Sequence, residues 1–366
     1  MIDFLSRALG RDRTAQPATK RINLALQGGG AHGAFTWGVL DHLLEDGRLT
    51  IDGLSGTSAG AVNAVMLADG LAQDGPQEAR KRLDEFWRAT SLGGNLPALQ
   101  RAVTDRLFSL APSEGLPAQT WFSAWSRVLS PYDLNPLNIN PLKDLIERFV
   151  DFERLRAGTR DIFVAATNVQ TGQLHVFGRA KLSAEAVMAS ACLPAIFRAV
   201  EIDGVPYWDG GYLGNPVLFP FLQSTQTEDV LVVQINPLVR KKVPHSNREI
   251  VSRVQEISFN SSLLVELRGI AFVNRLIGEG RLPRGFGAGE YRRLNVHRIV
   301  LEGLGEQLSS SSKRRTDYES FSLLRKLGQR AARRFLDAHF DKIGVESTVD
   351  LDAEIRPYLP ALSKAS

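Results

Sequence analysis

Cysteine is almost missing from the chain: Cys192 is the only one in 366 residues. A lone thiol cannot close an internal disulfide, which points to a reducing compartment, and it excludes a cysteine-rich zinc site. Long apolar runs are missing too. The longest obvious one, Met188 to Phe197, is interrupted by Ser190 and Pro194 and falls short of the ~18–20 residues of a membrane span. The first twenty residues, MIDFLSRALGRDRTAQPATK, have neither an apolar core nor a small-residue cleavage site, so they do not read as a secretory signal. The expected location is cytoplasmic. No internal repeat is present.

What is present is an ordinary globular composition, 43% hydrophobic and 23% charged, with 32 glycines and 17 prolines. It excludes collagen-like and wholly disordered chains, and the length suits one large domain or two. The net charge of +4 is unevenly spread: between Arg240 and Ile343 there are 21 Lys and Arg against 11 Asp and Glu, while the remainder holds 23 against 29. A basic C-terminal part on an acidic body suits an anionic partner such as a phospholipid surface or nucleic acid, or simply a solvated set of helices.

Residues 1–20 read as a loose basic leader with a short helix at Ile2–Leu9. The segment Ile22–Leu26 reads as a strand that runs straight into glycines. A helix is expected over Gly33–Asp46 with Gly47 as its C-cap, then a strand over Leu49–Ser55, then a helix over Ala61–Leu71. This strand–loop–helix rhythm predicts an α/β fold with a mainly parallel sheet. Further strands are expected at Asp161–Ala166, Leu174–Phe177, Val205–Trp208 and Asp229–Ile235. The stretch Leu92–Asn140, rich in Pro, Ser and Trp, suits an irregular cap. Beyond Arg240 the pattern is helical and charged, with Ser309–Ser312 as a flexible joint.

Three segments carry chemistry. The first is Gly28-Gly29-Gly30-Ala31-His32-Gly33, between a strand and a helix. Its backbone N–H groups, aided by the helix dipole, suit a phosphate or a transient oxyanion. It also satisfies the dinucleotide pattern G-x-G-x-x-G, with Asp52 at a distance suited to a ribose. The second is Gly56-Thr57-Ser58-Ala59-Gly60, the only G-x-S-x-G, placed where a nucleophile elbow needs a sharp strand-to-helix turn. The third is Asp209-Gly210-Gly211, after a strand. Acyl transfer to Ser58 needs a base for its proton and N–H donors for the oxyanion. None of the six histidines, His32, His42, His175, His245, His297 and His339, sits in a recognisable motif. His42 reads as a surface residue, and His245 or His297 would complete a triad in the order Ser…Asp…His.

Taken together these motifs resemble the patatin-like phospholipase family over Arg21 to Leu238. The segments Ala165–Gly172 and Ala189–Phe197 are similar to those of bacterial members. The resemblance implies a three-layer α/β/α fold and a catalytic domain over residues 21–240, followed by a helical, basic extension over 241–366. It implies a Ser–Asp dyad, with Ser58 as nucleophile and Asp209 as base, and an oxyanion hole built from Gly28, Gly29, Gly30, Ala31, His32 and Gly33. Ala31 and His32 stand where many members carry Arg or Lys. It implies no metal and no cofactor, and a fatty-acyl ester of a phospholipid, lysophospholipid or neutral lipid as substrate. Other readings remain: a serine acyltransferase using the same acyl-enzyme, a nucleotide-binding module on the glycine loop, or an inactive membrane scaffold, against which intact Ser58 and Asp209 argue. No nucleic-acid partner is expected, and the sequence leaves oligomeric state open.

The extension offers one patterned helix, Ser322–Lys342. Leu324, Leu327, Ala331, Phe335 and Ala338 share one side, and Arg325, Lys326, Arg330, Arg333 and Arg334 spread over the other. Such a helix suits peripheral docking on the anionic inner membrane face, or packing on the body by its apolar stripe.

Overall fold

The computed structural model describes residues 19–91, 132, 140–194, 197–240, 242–285, 291–302 and 318–355. Strand β1 (Lys20–Leu26) buries Ile22, Leu24 and Leu26 toward one helical layer and Ala25 toward the other. This two-sided burial is why the segment is a nearly continuous apolar run and not an alternating one. Helix α1 (Gly33–Asp46) follows and stops at Gly47, whose φ of 72° makes the left-handed cap. Strand β2 (Leu49–Gly56) leads into α2 (Ala59–Thr90). That helix is far longer than expected because it is two helices: Asp74 and Gly75 leave helical angles, and Pro76 opens the second half, where a missing N–H costs nothing.

After α3 (Pro141–Phe149) and α4 (Phe152–Ala157) come β3 (Asp161–Asn168), β4 (Leu174–Gly178), α5 (Ala184–Ser190), β5 (Val200–Ile202) and β6 (Val205–Asp209). Then follow α6 (Phe221–Ser224), β7 (Asp229–Gln234), α7 (Asn247–Gly278), β8 (Asn295–Val300), α8 (Tyr318–His339) and α9 (Leu351–Ile355). The sheet runs β5-β6-β3-β2-β1-β7-β8, with β4 pairing β3. The five strands β3, β2, β1, β7 and β8 are parallel, and β4, β5 and β6 add antiparallel pairings at one side. Helices α1, α2, α5 and α8 cover one face, and α6 and α7 the other.

One detail of register matters for the site. Strand β2 pairs with β3 only as far as Gly56 opposite Val164. Two residues further along β3, Asp209 of β6 lies opposite Ala166. Strand β4 occupies the other edge of β3 at both levels, pairing Val164 with Phe177 and Ala166 with His175. Strand β6 therefore continues the line that β2 leaves, and the residues just after Gly56 face the end of β6.

The stretch beyond residue 240 is not purely helical and does not stand apart. It supplies β8, which extends the sheet through β7. The sequence hides this strand because Asn295, His297 and Arg298 interrupt its apolar residues. It also supplies α8, which buries Phe321, Leu324, Gly328, Ala331, Ala332, Phe335 and Leu336. Here α8 meets α1 backbone to backbone: a Cβ on Gly38 would lie 2.0 Å from the Arg325 carbonyl oxygen, and one on Gly328 would lie 2.1 Å from that of Phe35. Arg325, expected on a membrane-facing side, instead binds Asp41 at 3.0 Å and Asp84 at 3.1 Å and covers Trp37. Burial alone would raise the Asp41 pKa, but Arg80, Arg325 and Gln329 together hold it below the ordinary carboxylate value. The remaining basic residues, Lys326, Arg330, Arg333 and Arg334, are exposed. His42, expected at the surface, is 8% exposed because α1 is covered by α8.

The leader helix at Ile2–Leu9 and the serine joint lie outside the described residues, as does most of the expected cap. Among the described residues no helix is long and apolar enough to cross a membrane.

Candidate active site

The G-x-S-x-G segment folds as a turn between β2 and α2. Ser58 takes φ 54° and ψ −123°, a conformation that L-residues rarely adopt and that needs tight support. The support comes from packing. A Cβ on Gly60 would fall 2.1 Å from the Leu26 carbonyl oxygen, and one on Gly56 would fall 2.5 Å from that of Gly60. The Thr57 hydroxyl donates to the Gly214 carbonyl at 2.6 Å. Ser58 thus stands at the N-terminus of a long helix, where the dipole favours negative charge.

Asp209 ends β6 and is fully buried. The Gly211 amide donates to its Oδ1 at 2.7 Å, while Oδ2, also buried, accepts no well-formed hydrogen bond. Burial pushes its pKa up to about 7, against the opposing effects of the Gly211 amide and the Ser58 side chain. Its backbone is pinned on both sides: its amide donates to the Cys192 carbonyl at 2.8 Å, and its own carbonyl accepts from the Thr167 hydroxyl at 2.8 Å. A Cβ on Gly210 would strike the Ala165 carbonyl oxygen at 2.2 Å, so the chain can leave β6 this closely only as glycine.

Ser58 and Asp209 line one pocket together with Gly30, Ala59, Val62, Phe86, Trp87, Leu142, Ala191, Leu193 and Phe259. The break at Asp74–Gly75 is what brings α2 back so that Phe86 and Trp87 reach it. Apart from the two reacting candidates and the peptide groups, the lining is apolar, as a fatty-acyl chain requires.

The glycine loop passes so close that a Cβ on Gly28 would sit 2.8 Å from the Ser58 Cβ. Its six amides are not equivalent. That of Gly28 is taken by Asn215 Oδ1 at 2.6 Å, and that of His32 by the Gly29 carbonyl at 3.3 Å; that of Gly33 caps the short 3-10 turn Gly30–His32. Among the described residues nothing accepts from the amides of Gly29, Gly30 and Ala31, and Gly30 is the one at the pocket wall. The expected six-residue donor set is therefore too wide, because half of its amides hold the loop in shape.

Several residues that sequence reasoning passed over hold this arrangement. Ser190 Oγ accepts from the Ser58 amide at 2.9 Å, so the Ser190–Cys192 segment grips both Ser58 and Asp209. A buried amide cluster grips the loop. Asn236 Nδ2 donates to the Gly28 carbonyl at 2.8 Å, and Gln27 Oε1 accepts from the amides of Ile235 and Asn236 at 2.9 and 2.8 Å. Gln27 Nε2 reaches Asn260 on α7 at 2.9 Å. The available signal was Asn-Pro dipeptides closely following β6 and β7, Asn215-Pro216 and Asn236-Pro237, which mark turns at strand ends.

The histidines lie elsewhere in the hydrogen-bond pattern. His297 is buried on β8, with Nε2 2.9 Å from Asp229 and Nδ1 3.2 Å from Thr348. His245 is exposed in the loop before α7. Neither lines the pocket. Asp52, the ribose candidate of the dinucleotide reading, is paired with Arg21 and accepts from the Gln226 amide at 2.8 Å, so it does not face the glycine loop.

Residues 24–222, just over half of the chain, match the model of the patatin-like phospholipase family. The chain belongs to that family. Membership makes this patatin-like protein a lipid hydrolase by class, on a mixed α/β fold with a mostly parallel central sheet. No curated protein matches it in sequence. Among solved structures it is similar to VipD from Legionella pneumophila, at 14% identity and a TM-score of 0.39, covering 88% of this chain and 67% of that one. It is also similar to human group IVD cytosolic phospholipase A2 in complex with methyl gamma-linolenyl fluorophosphonate, at 13% identity and a TM-score of 0.36, covering 97% and 62%. A third is ExoU from Pseudomonas aeruginosa, in complex with SpcU, at 15% identity and a TM-score of 0.29, covering 90% and 53%. The chain thus spans between about half and two thirds of the length of these proteins, and the family assignment rests on the sequence match.

Proposed function

We propose that this patatin-like protein hydrolyses fatty-acyl esters of phospholipids or lysophospholipids through a Ser58–Asp209 dyad and an acyl-enzyme. The observation that carries the reading is the meeting of a conformationally strained Ser58 with a fully buried Asp209 in one apolar pocket.

The Ser58 hydroxyl attacks the ester carbonyl carbon as Asp209 takes its proton. A carboxylate of ordinary pKa is a poor match for this task, and burial brings Asp209 close to neutrality, where a general base is both ionised and effective. The oxyanion that forms is met by the amides of Gly29 and Gly30 and by the N-terminal end of α2. Collapse of the tetrahedral adduct breaks the bond to the alcohol, which leaves with the proton held by Asp209. Water then attacks the acyl-Ser58 ester as Asp209 takes its proton, and collapse of the second adduct breaks the bond to Ser58 Oγ, which recovers that proton from Asp209 as the fatty acid is released. The acyl chain lies against Val62, Phe86, Trp87, Leu142 and Leu193.

The experiment is Ser58→Ala assayed on p-nitrophenyl esters and on phospholipid, with fluorophosphonate labelling of both proteins. Loss of hydrolysis and of labelling in a folded variant supports the reading. Retention of near wild-type turnover refutes it.

A further inference from the structure

Helix α7 packs on the sheet through Leu263, Leu267 and Ile270, and its Phe259 reaches the pocket beside Gly211. Its far end is anchored beside the start of β8, where Asn274 bonds both the amide and the carbonyl of Leu294. The helix therefore descends from the end of the sheet that carries Ser58 to the opposite end. The turns before Phe259 lie beyond the site end of the sheet: twelve residues from Asn247 make about 18 Å of helix at ~1.5 Å per residue. This end is braced by the loop after β7, since Arg253 donates to the carbonyls of Pro237 and Leu238 and Arg240 pairs with Glu256.

The braced projection carries the wrong side chains for a protein surface facing water alone. Val239 is 81% exposed, Val243 73%, Ile250 42%, Val254 57% and Ile257 54%. Ile250, Val254 and Ile257 follow one another at four and three residues, one outward stripe of the helix. The same stretch is basic on balance: residues 240–257 hold five Lys and Arg against Glu249 and Glu256, and Glu256 is held by Arg240 and Arg253. Apolar side chains in a basic surround are what an interfacial helix needs, the first entering the acyl boundary and the second meeting anionic headgroups. The patch stands at the same end of the sheet as the mouth that must receive a lipid.

We infer that the N-terminal half of α7, with Val239 and Val243 beside it, is the surface on which the protein docks to an anionic phospholipid bilayer. The inference deepens the lipase reading and rests on it for the choice of partner. It also moves the membrane contact away from α8, whose apolar stripe is consumed by α1 and whose Arg325 is held by Asp41 and Asp84.

The test separates docking from chemistry. Binding is measured by co-sedimentation of the full chain carrying Ser58→Ala with vesicles of phosphatidylcholine and phosphatidylglycerol, so that hydrolysis plays no part. Adding Ile250→Ser, Val254→Ser and Ile257→Ser should weaken binding at least tenfold. Adding Lys326→Gln, Arg330→Gln, Arg333→Gln and Arg334→Gln instead should change it less than twofold. With Ser58 intact, the triple serine variant should hydrolyse a short soluble ester within twofold of wild type. The inference is overturned if the starting protein does not bind, if the triple variant binds equally well, or if the α8 variant carries the loss. It is equally overturned if the starting protein is a dimer that the triple variant converts to monomer, which would assign the patch to a second copy. Failure of the lipase reading looks different: no ester hydrolysis by wild type, whatever the vesicles show.

Discussion

The backbone amide of Gly28 donates to Oδ1 of Asn215 at 2.6 Å, across 187 residues of chain. The carbonyl of the same residue accepts from Asn236 at 2.8 Å. In a trans peptide the C=O and the following N–H point in opposite directions. Asn236 thus fixes where the Gly29 amide points, and Asn215 fixes the peptide before it.

Asn236→Ala is expected to loosen that peptide. The kcat on a soluble ester should fall by about 10- to 100-fold, below the loss from removing a donor outright, with KM changed far less, because the oxyanion exists only after attack. The rate of Ser58 phosphonylation should fall in parallel. Equal losses in thermal stability with unchanged kcat would show that Asn236 is purely structural.

As the proposed base, Asp209 must be ionised to act, so kcat/KM should rise with pH through a midpoint near 7 and level off above it. Asp209→Asn should cost on the order of 10²-fold or more in kcat. It should also stabilise the protein. A carboxyl whose folded pKa is raised above its unfolded value loses stability as pH climbs between the two, here from 3.8 to about 7. At pH 8 that penalty is on the order of 4 kcal/mol, and the amide variant escapes it. Melting curves should separate at pH 8 and converge near pH 4.

His297→Ala should leave turnover per folded molecule within about twofold, because His297 is bonded to Asp229 and Thr348 away from the pocket. Stability should drop by roughly 1–3 kcal/mol as Asp229 loses a buried partner, although the Gly344 amide still reaches it at 2.8 Å. Urea melts and a soluble-ester assay on the same samples check both halves.

Gly328→Ala inserts a methyl group 2.1 Å from a backbone oxygen that cannot swing aside. The helices α1 and α8 must part, so the cost should reach or exceed the ~3 kcal/mol upper end of ordinary overpacking. Gly47→Ala serves as the control: it meets no atom within 4 Å, and its cost comes only from the left-handed φ of 72°.

Much of this site was legible in the residues because it is local. Gly56–Gly60 and Asp209–Gly211 each combine a special side chain with glycines that close packing requires, and such needs are written at the positions themselves. The parallel strands were legible because both faces are buried. Three things were not. The narrowing of the amide donors depends on Asn215 and Asn236, which reach the loop only through the fold. The strand β8 has polar residues where the periodicity should be apolar, His297 among them, because they pair with Asp229 and the chain after α8. The fate of the basic helix turned on Asp41 and Asp84, carboxylates whose shared partner Arg325, 284 and 241 residues away, no pattern announces.

The contact of Gly38 with Gly328 ties the order of synthesis to the order of assembly. Helix α1 emerges from a ribosome almost three hundred residues before α8, at ~5–20 residues per second, and the face that α8 covers stays open through that interval. Trp37 can stack on Trp87 of α2 well before then, but Gly38 waits for Gly328, and with it the seal on the helix that the glycine loop leads into. Contacts this distant in sequence close late, since the loop entropy is spent before they repay it. A nascent chain long enough to hold both Ser58 and Asp209 still lacks the helix that seals α1. Closure of the packing around α1 therefore lags the synthesis of both candidate residues.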